Sequence, residues 1–432
     1  MKNKIFNELY QWFTDIPKNK NRSSVIWNAA GGMFNAGQAA ILLIFIAHKM
    51  DLVTAGIVTI AYAVANLFLS ICKYGIRNYQ VTDVKEKFSF SDYLYSRYIT
   101  LTGTFILLTS YLAYEYLFGG YTLEKAAIFL EVAVLKLIDA FEDVFIGRYQ
   151  QVGRLDTGAK IMALRLMVST VFICILISVG TGIHISFLGG IILSIVFDIH
   201  VIKNTFFITQ TTFAKKQISK ILDLLKHGLP LCIGITLSIY IGNVPKYMID
   251  AYMTEEIQAI FGYIMMPVFV ITLLNQFIYQ PMVKGLGELW EAGDVTNFKK
   301  SIFKQCLIVC GLTTVVIAGG MLAGLPVLSV LYHVDLSGYL VEFAVLLLGG
   351  GLYALAYYLN VPITTIRRQN YIAYGYAGVS ILALFSGGYF VTTWGILGAA
   401  VLYLILNIIL VIVYSIVLGF GTKRGNSYSR RI

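Results

Sequence analysis

Five ionisable residues lie in one apolar stretch of this chain, AAIFLEVAVLKLIDAFEDVFIG: Glu131, Lys136, Asp139, Glu142 and Asp143. On a helix turning about 100° per residue, with Glu131 as origin, Glu142 falls at about 20°, Asp139 at about 80°, Asp143 at about 120° and Lys136 at about 140°. All five share one arc, and the rest of the surface is Ala, Val, Leu, Ile and Phe. In hydrocarbon, each such charge costs about 2.5–3.5 kcal/mol at a helix centre. The arc must therefore meet water or partner charges. It forms either the wall of a wet cavity or a salt-bridge strut between helices, and Lys136 and Asp139, three residues apart, can pair.

Other charges are placed less decisively. Lys246 precedes Asp250 by four residues, so the two can pair; Lys246 either faces a central cavity near its outer end or snorkels to the surface. Asp198, His200 and Lys203 do not share a helical face. Lys73 and Arg77, with Tyr74 and Tyr79 interleaved, sit just below a span, where cations and aromatic belts suit a phosphate head group or simply fix topology. Arg148, Arg154 and Arg165 extend this basic rim. The five histidines make no metal pair, and Cys72, Cys174, Cys232, Cys306 and Cys310 lie within apolar runs with no ligand spacing. There is no G-x-x-x-x-G-K-[ST] loop, no H-E-x-x-H and no paired CxxC, so nothing supports bond-making chemistry, and no cofactor is expected.

The elements that position these residues are apolar spans. The 432 residues are 58% hydrophobic and 13% charged, with mean hydropathy +0.75; a soluble protein carries about 25% charge. Continuous runs, rather than alternating ones, exclude a β-barrel. The fold class is an all-α polytopic membrane protein of about twelve transmembrane helices, at approximately 24–48, 52–72, 94–118, 125–146, 160–180, 186–208, 228–250, 257–282, 302–324, 339–362, 372–391 and 397–419. Pro245, Pro267 and Pro281 are expected to interrupt the seventh and eighth, as broken helices do where they line protein or water. All but five of the 33 lysines and arginines (Lys49, Lys125, Lys136, Lys203 and Lys246) fall on one side, which places both termini in the cytoplasm. Net charge of +10 therefore reflects orientation rather than nucleic-acid binding.

Residues 1–23 lack a signal-peptide core. Phe6, Leu9, Tyr10 and Phe13 share a face among lysines, giving an interfacial helix or a basic tail. The layout divides into an N-lobe at 24–208, a basic cytoplasmic linker at 209–226, a C-lobe at 227–419 and a basic tail at 420–432. Six spans plus six suggest a repeat, with the substrate site between halves.

Several short motifs carry a family resemblance. Tyr74-Gly-Ile-Arg77-Asn-Tyr-Gln80-Val-Thr-Asp83, Gly153-Arg154-Leu155-Asp156 with Lys160 and Arg165, and Asn243-Val-Pro245-Lys246-Tyr247-Met-Ile-Asp250 continuing to Met265-Met266-Pro267 and Phe277-Ile-Tyr-Gln-Pro281 resemble Wzx-type oligosaccharide flippases. These belong to the multidrug/oligosaccharidyl-lipid/polysaccharide (MOP) exporter superfamily. The resemblance implies two six-helix lobes around a V-shaped cavity in a bacterial cytoplasmic membrane. It also implies movement of undecaprenyl-diphosphate-linked oligosaccharide to the outer leaflet, with glycan polymerase and glycosyltransferases as candidate partners. A diphosphate needs cations in a wet cavity, for which Arg77, Lys136, Arg165 and Lys246 are the candidates; Glu131, Asp139 and Glu142 are the candidates for proton or sodium coupling. Fold does not settle cargo. A cation-coupled drug exporter of the same fold would use the acids, and a non-transporting scaffold for glycan assembly would use neither set.

Overall fold

Polar punctuation between apolar runs sets the helix ends. The structure, a computed structural model, describes residues 10–83, 86–279 and 283–428. The helices are α1 (Lys20–Lys49), α2 (Leu52–Lys73), α3 (Ile76–Thr82), α4 (Phe90–Leu117), α5 (Leu123–Gln151), α6 (Leu155–Val179), α7 (Ile183–Thr205), α8 (Ile218–Tyr252), α9 (Glu255–Tyr279), α10 (Val283–Glu291), α11 (Val295–Gly319), α12 (Leu325–Tyr332), α13 (Leu340–Thr365) and α14 (Asn370–Tyr428). No strand occurs among the described residues. Asp51 caps α2 by accepting the Thr54 amide at 2.6 Å. Ser89 and Asp92 form a reciprocal capping box at the start of α4, and Thr122 accepts the Lys125 amide to start α5.

Nine helical stretches among the described residues are long and apolar enough to cross a membrane. One of them, α14, is two helices merged across a kink at Gly395. The long helices α4 and α5 fall outside that set through polarity rather than length: α4 is rich in Thr and Tyr, and α5 holds the charged arc. The chain is a multi-pass helical membrane protein with the twelve-rod layout expected from its apolar runs.

The expected proline breaks are absent where they can be seen. α8 and α9 run through Pro245 and Pro267 as helix, and Pro281 lies outside the described residues. In α8 the packed face of Ile241, Val244 and Ile249, all fully buried, holds the rod across the missing hydrogen bond. The real irregularities are at glycines. A π turn at Gly320–Gly324 joins α11 to α12. At Gly395, φ is 58° and ψ is −134°, a region open essentially to glycine alone.

The chain forms two compact units, Met1–Thr236 and Leu237–Ile432, with the division inside α8. In the first, α1 packs on α6, α2 on α5, and α6 on α7. Phe13, Tyr149, Ile161, Val201 and Ile202 form one of its apolar clusters. Phe13 therefore faces protein rather than a lipid interface, and Phe6 and Leu9 lie outside the described residues. In the second unit, α13 packs on α14 and α9, around Leu359, Ile363, Leu402, Leu406 and Leu410.

Candidate functional site

The α5 arc is the centre of a buried ion-pair network in the first unit. Arg165 of α6 extends Nη2 to Asp139 Oδ1 at 2.6 Å and to Glu142 Oε2 at 2.8 Å. Its Nε donates to Glu142 Oε2 at 3.1 Å and lies 3.6 Å from Asp198 Oδ2 on α7. Lys136 Nζ contacts Asp139 Oδ2 at 2.6 Å and donates to Asn35 Oδ1 of α1 at 2.6 Å. Arg165, Lys136 and Glu142 are each only 1% exposed, and Asp198 is 3% exposed. Charges so deeply buried are tolerated only when paired. Here three carboxylates meet two cations, and both Asp198 oxygens and Glu142 Oε1 lack a hydrogen-bond partner.

A second cluster has the opposite balance. Asp143, one residue on, faces Lys73 at 3.9 Å, Arg77 at 3.4 Å and Arg97 at 3.4 Å. Arg97 is fully buried and also donates to the Cys72 carbonyl. The side chains of Lys73 and Arg77 keep 31% and 22% of their exposure, and Arg77 Nη2 also donates to Gln150 Oε1 at 3.0 Å. One carboxylate thus serves three cations, two of which reach solvent.

The turn that delivers Arg77 explains its motif. Tyr74 ends α2 with φ 53°, and Gly75 follows with φ 66°; a Cβ on Gly75 would meet Leu231 Cδ2 at 2.6 Å. Two successive left-handed residues break the helix between α2 and α3, and Arg77 of α3 lies against Asp143. On the loop that follows, Lys87 donates to Asp223 at 3.1 Å, and that hydrogen bond holds its ammonium above the ordinary lysine range.

The remaining candidates sit apart from these clusters. Glu131 is held by His184 Nδ1 of α7 at 2.9 Å, about 16 Å along the helix from Glu142 at 1.5 Å rise per residue. Lys246 lies on α8 in the second unit, half-buried and away from both clusters. Arg154 of the basic rim, and Lys160 near it, bind backbone carbonyls of the N-terminal segment. Arg154 Nη2 donates to the Thr14 and Asp15 carbonyls at 2.8 and 3.3 Å. Lys160 donates to the Trp12 carbonyl at 2.9 Å and stands 4.5 Å from the Trp12 ring.

Sequence reasoning missed Asn35 and Arg97, and it named Asp198 without a partner. Neither Asn35 nor Arg97 stands out within its own helix, and the role of all three becomes visible only from the charge on α5 that needs a partner.

No family model matches the chain, and a search of curated proteins finds no match. Solved structures do resemble it. An inward-facing multidrug resistance MATE family transporter of the MOP superfamily aligns with TM-score 0.62 at 15% identity, over 94% of this chain and 96% of that one. A MOP superfamily transporter from Pyrococcus furiosus aligns with TM-score 0.61 at 14% identity, over 97% and 98%. An outward-facing multidrug resistance MATE transporter aligns with TM-score 0.58 at 15% identity, over 98% of both chains. The fold is that of these transporters.

Proposed function

We propose that the chain is an alternating-access transporter and that its cargo is an anionic lipid-linked oligosaccharide, carried outward across a bacterial cytoplasmic membrane with both termini cytoplasmic. The observation that carries this reading is the Lys73–Arg77–Arg97 group around the single Asp143. Two of its cations reach solvent, and a phosphate can replace the shared carboxylate on Arg77 by charge-assisted, bidentate hydrogen bonding. The buried network has a different part. Lys136, Asp139, Glu142, Arg165 and Asp198 bind α5, α6 and α7 together, and Asn35 adds α1. A body so tied can rock as one piece, and its excess carboxylate, at Glu142 and Asp198, is the natural seat for a coupling proton or cation. Lys136 and Arg165 are then charge-balancing groups inside the body rather than phosphate ligands.

Cation-coupled multidrug export is the second reading, favoured by the names of the similar structures. Against it stands the burial of the network's acids, with Glu142 only 1% and Asp198 3% exposed, which suits a proton or small ion rather than a bulky hydrophobic cation. Gene deletion tests the choice. Loss of surface polysaccharide with build-up of lipid-linked oligosaccharide on the inner leaflet, unrescued by Arg77→Ala, supports the flippase reading. Unchanged glycan with new drug sensitivity overturns it.

A further inference from the structure

In the second unit, tyrosines and amides carry polar contacts on α8 and α13. In α8, Ile241, Val244 and Ile249 are fully buried. The opposite arc presents Tyr240, Asn243, Lys246 and Tyr247, all half-buried. The Tyr240 and Tyr247 rings stack with centroids 5.5 Å apart and 16° between planes. In α13, Tyr353, Tyr357 and Asn360 follow at spacings of four and three, which puts them on one face, and Tyr357 is 38% exposed. Tyr353 donates to the Ser238 carbonyl at 3.4 Å, tying this row to α8. Asn360 Nδ2 donates to Tyr376 at 3.0 Å, while Asn360 Oδ1 and the Tyr240 hydroxyl have no hydrogen-bond partner. Leu and Ile fill the neighbouring core. Aromatic rings with polar edges, set beside amides, instead offer flat faces together with donors and acceptors.

We infer that this wall is a saccharide subsite. Separate sugar rings of the glycan stack their apolar C–H faces on Tyr357 of α13 and, farther along the wall, on Tyr247 of α8. The Asn243 and Asn360 side-chain oxygens accept from their hydroxyls, since both amide nitrogens already donate within the fold. Lys246 on the same arc disfavours a cationic ligand and favours an acidic sugar. The inference rests on the flippase reading above and names the part of the chain that would recognise the glycan.

The test uses the full chain in lipid nanodiscs and three probes: lipid-linked oligosaccharide extracted from the host membrane, bare undecaprenyl diphosphate, and tetraphenylphosphonium. Wild type is expected to bind the glycan-bearing lipid more tightly than the bare one. Tyr357→Ala and Tyr247→Ala each weaken the glycan-bearing probe about tenfold and leave the bare lipid unchanged, and Tyr357→Phe retains most of the affinity. If the alanine variants weaken both lipids equally or neither, or if wild type does not discriminate between them, the wall is not a sugar subsite; Arg77-dependent binding of bare lipid would still uphold the flippase reading. If tetraphenylphosphonium binds and the same variants abolish that binding while neither lipid binds, both readings fall.

Discussion

Arg165 is the residue on which the first unit's buried charge depends. Truncation to Ala would leave Asp139, Glu142 and Asp198 with Lys136 alone, and removal of one partner from a buried pair costs about 3–5 kcal/mol. Arg165→Ala is expected to lower the unfolding temperature in detergent markedly; wild-type stability in that assay would mean that the carboxylates are not charged. Asp198→Asn makes the opposite test. It removes the excess negative charge, so stability should change by about 1 kcal/mol or less, while transport should lose its dependence on the ion gradient. Arg77→Ala, at a partly exposed position, should leave the fold intact and reduce glycan export, read from lipid-linked intermediates in whole cells.

At the scale of the element, two features outside the ion pairs hold the helices in place. The kink at Gly395 admits no side chain without strain, so Gly395→Ala should destabilise by about 1–3 kcal/mol, whereas Pro245→Ala in the unbroken α8 should be neutral or stabilising. Thermal unfolding of both variants separates glycine geometry from proline as the cause of bending. Residues 12–15 are strapped to the start of α6 by Arg154, Thr157 and Lys160. Arg154→Ala removes two bonds to backbone carbonyls and the 3.2 Å pair with Asp156, and is expected to expose the Phe13 segment to limited proteolysis. Unchanged cleavage would show that Phe13 packing alone retains the strap.

For the whole molecule, the network predicts a rigid first unit. Besides the ion pairs, Gln38 donates to Thr170 at 3.1 Å between α1 and α6, and the Tyr149 and Thr205 hydroxyls meet at 2.7 Å between α5 and α7. Spin labels at Leu123 and Val179, both exposed in this unit, should keep their separation within about 2 Å through the transport cycle, since packed helices shift by little more than that without a change of state. A larger change would mean that the unit itself deforms during turnover.

Length, apolar runs and charge placement were enough to determine an all-helical membrane protein and its twelve rods, because hydrocarbon tolerates only backbone that satisfies its own hydrogen bonds. The arc on α5 was equally legible, since helical periodicity alone puts Glu131, Lys136, Asp139, Glu142 and Asp143 on one side. Partner identity was not. Asn35, Arg97, Arg165 and Asp198 reach that arc from other helices, and which helices adjoin is set by side-chain packing over long sequence separations. The Lys136–Asp139 pair followed from their spacing of three, but only tertiary structure added Arg165 to Asp139, set Glu131 aside on His184, and gathered three cations around Asp143. Local sequence also misjudged the bends: proline's missing hydrogen bond was outweighed by the packing of α8, while Gly395 took a conformation that no local pattern demands.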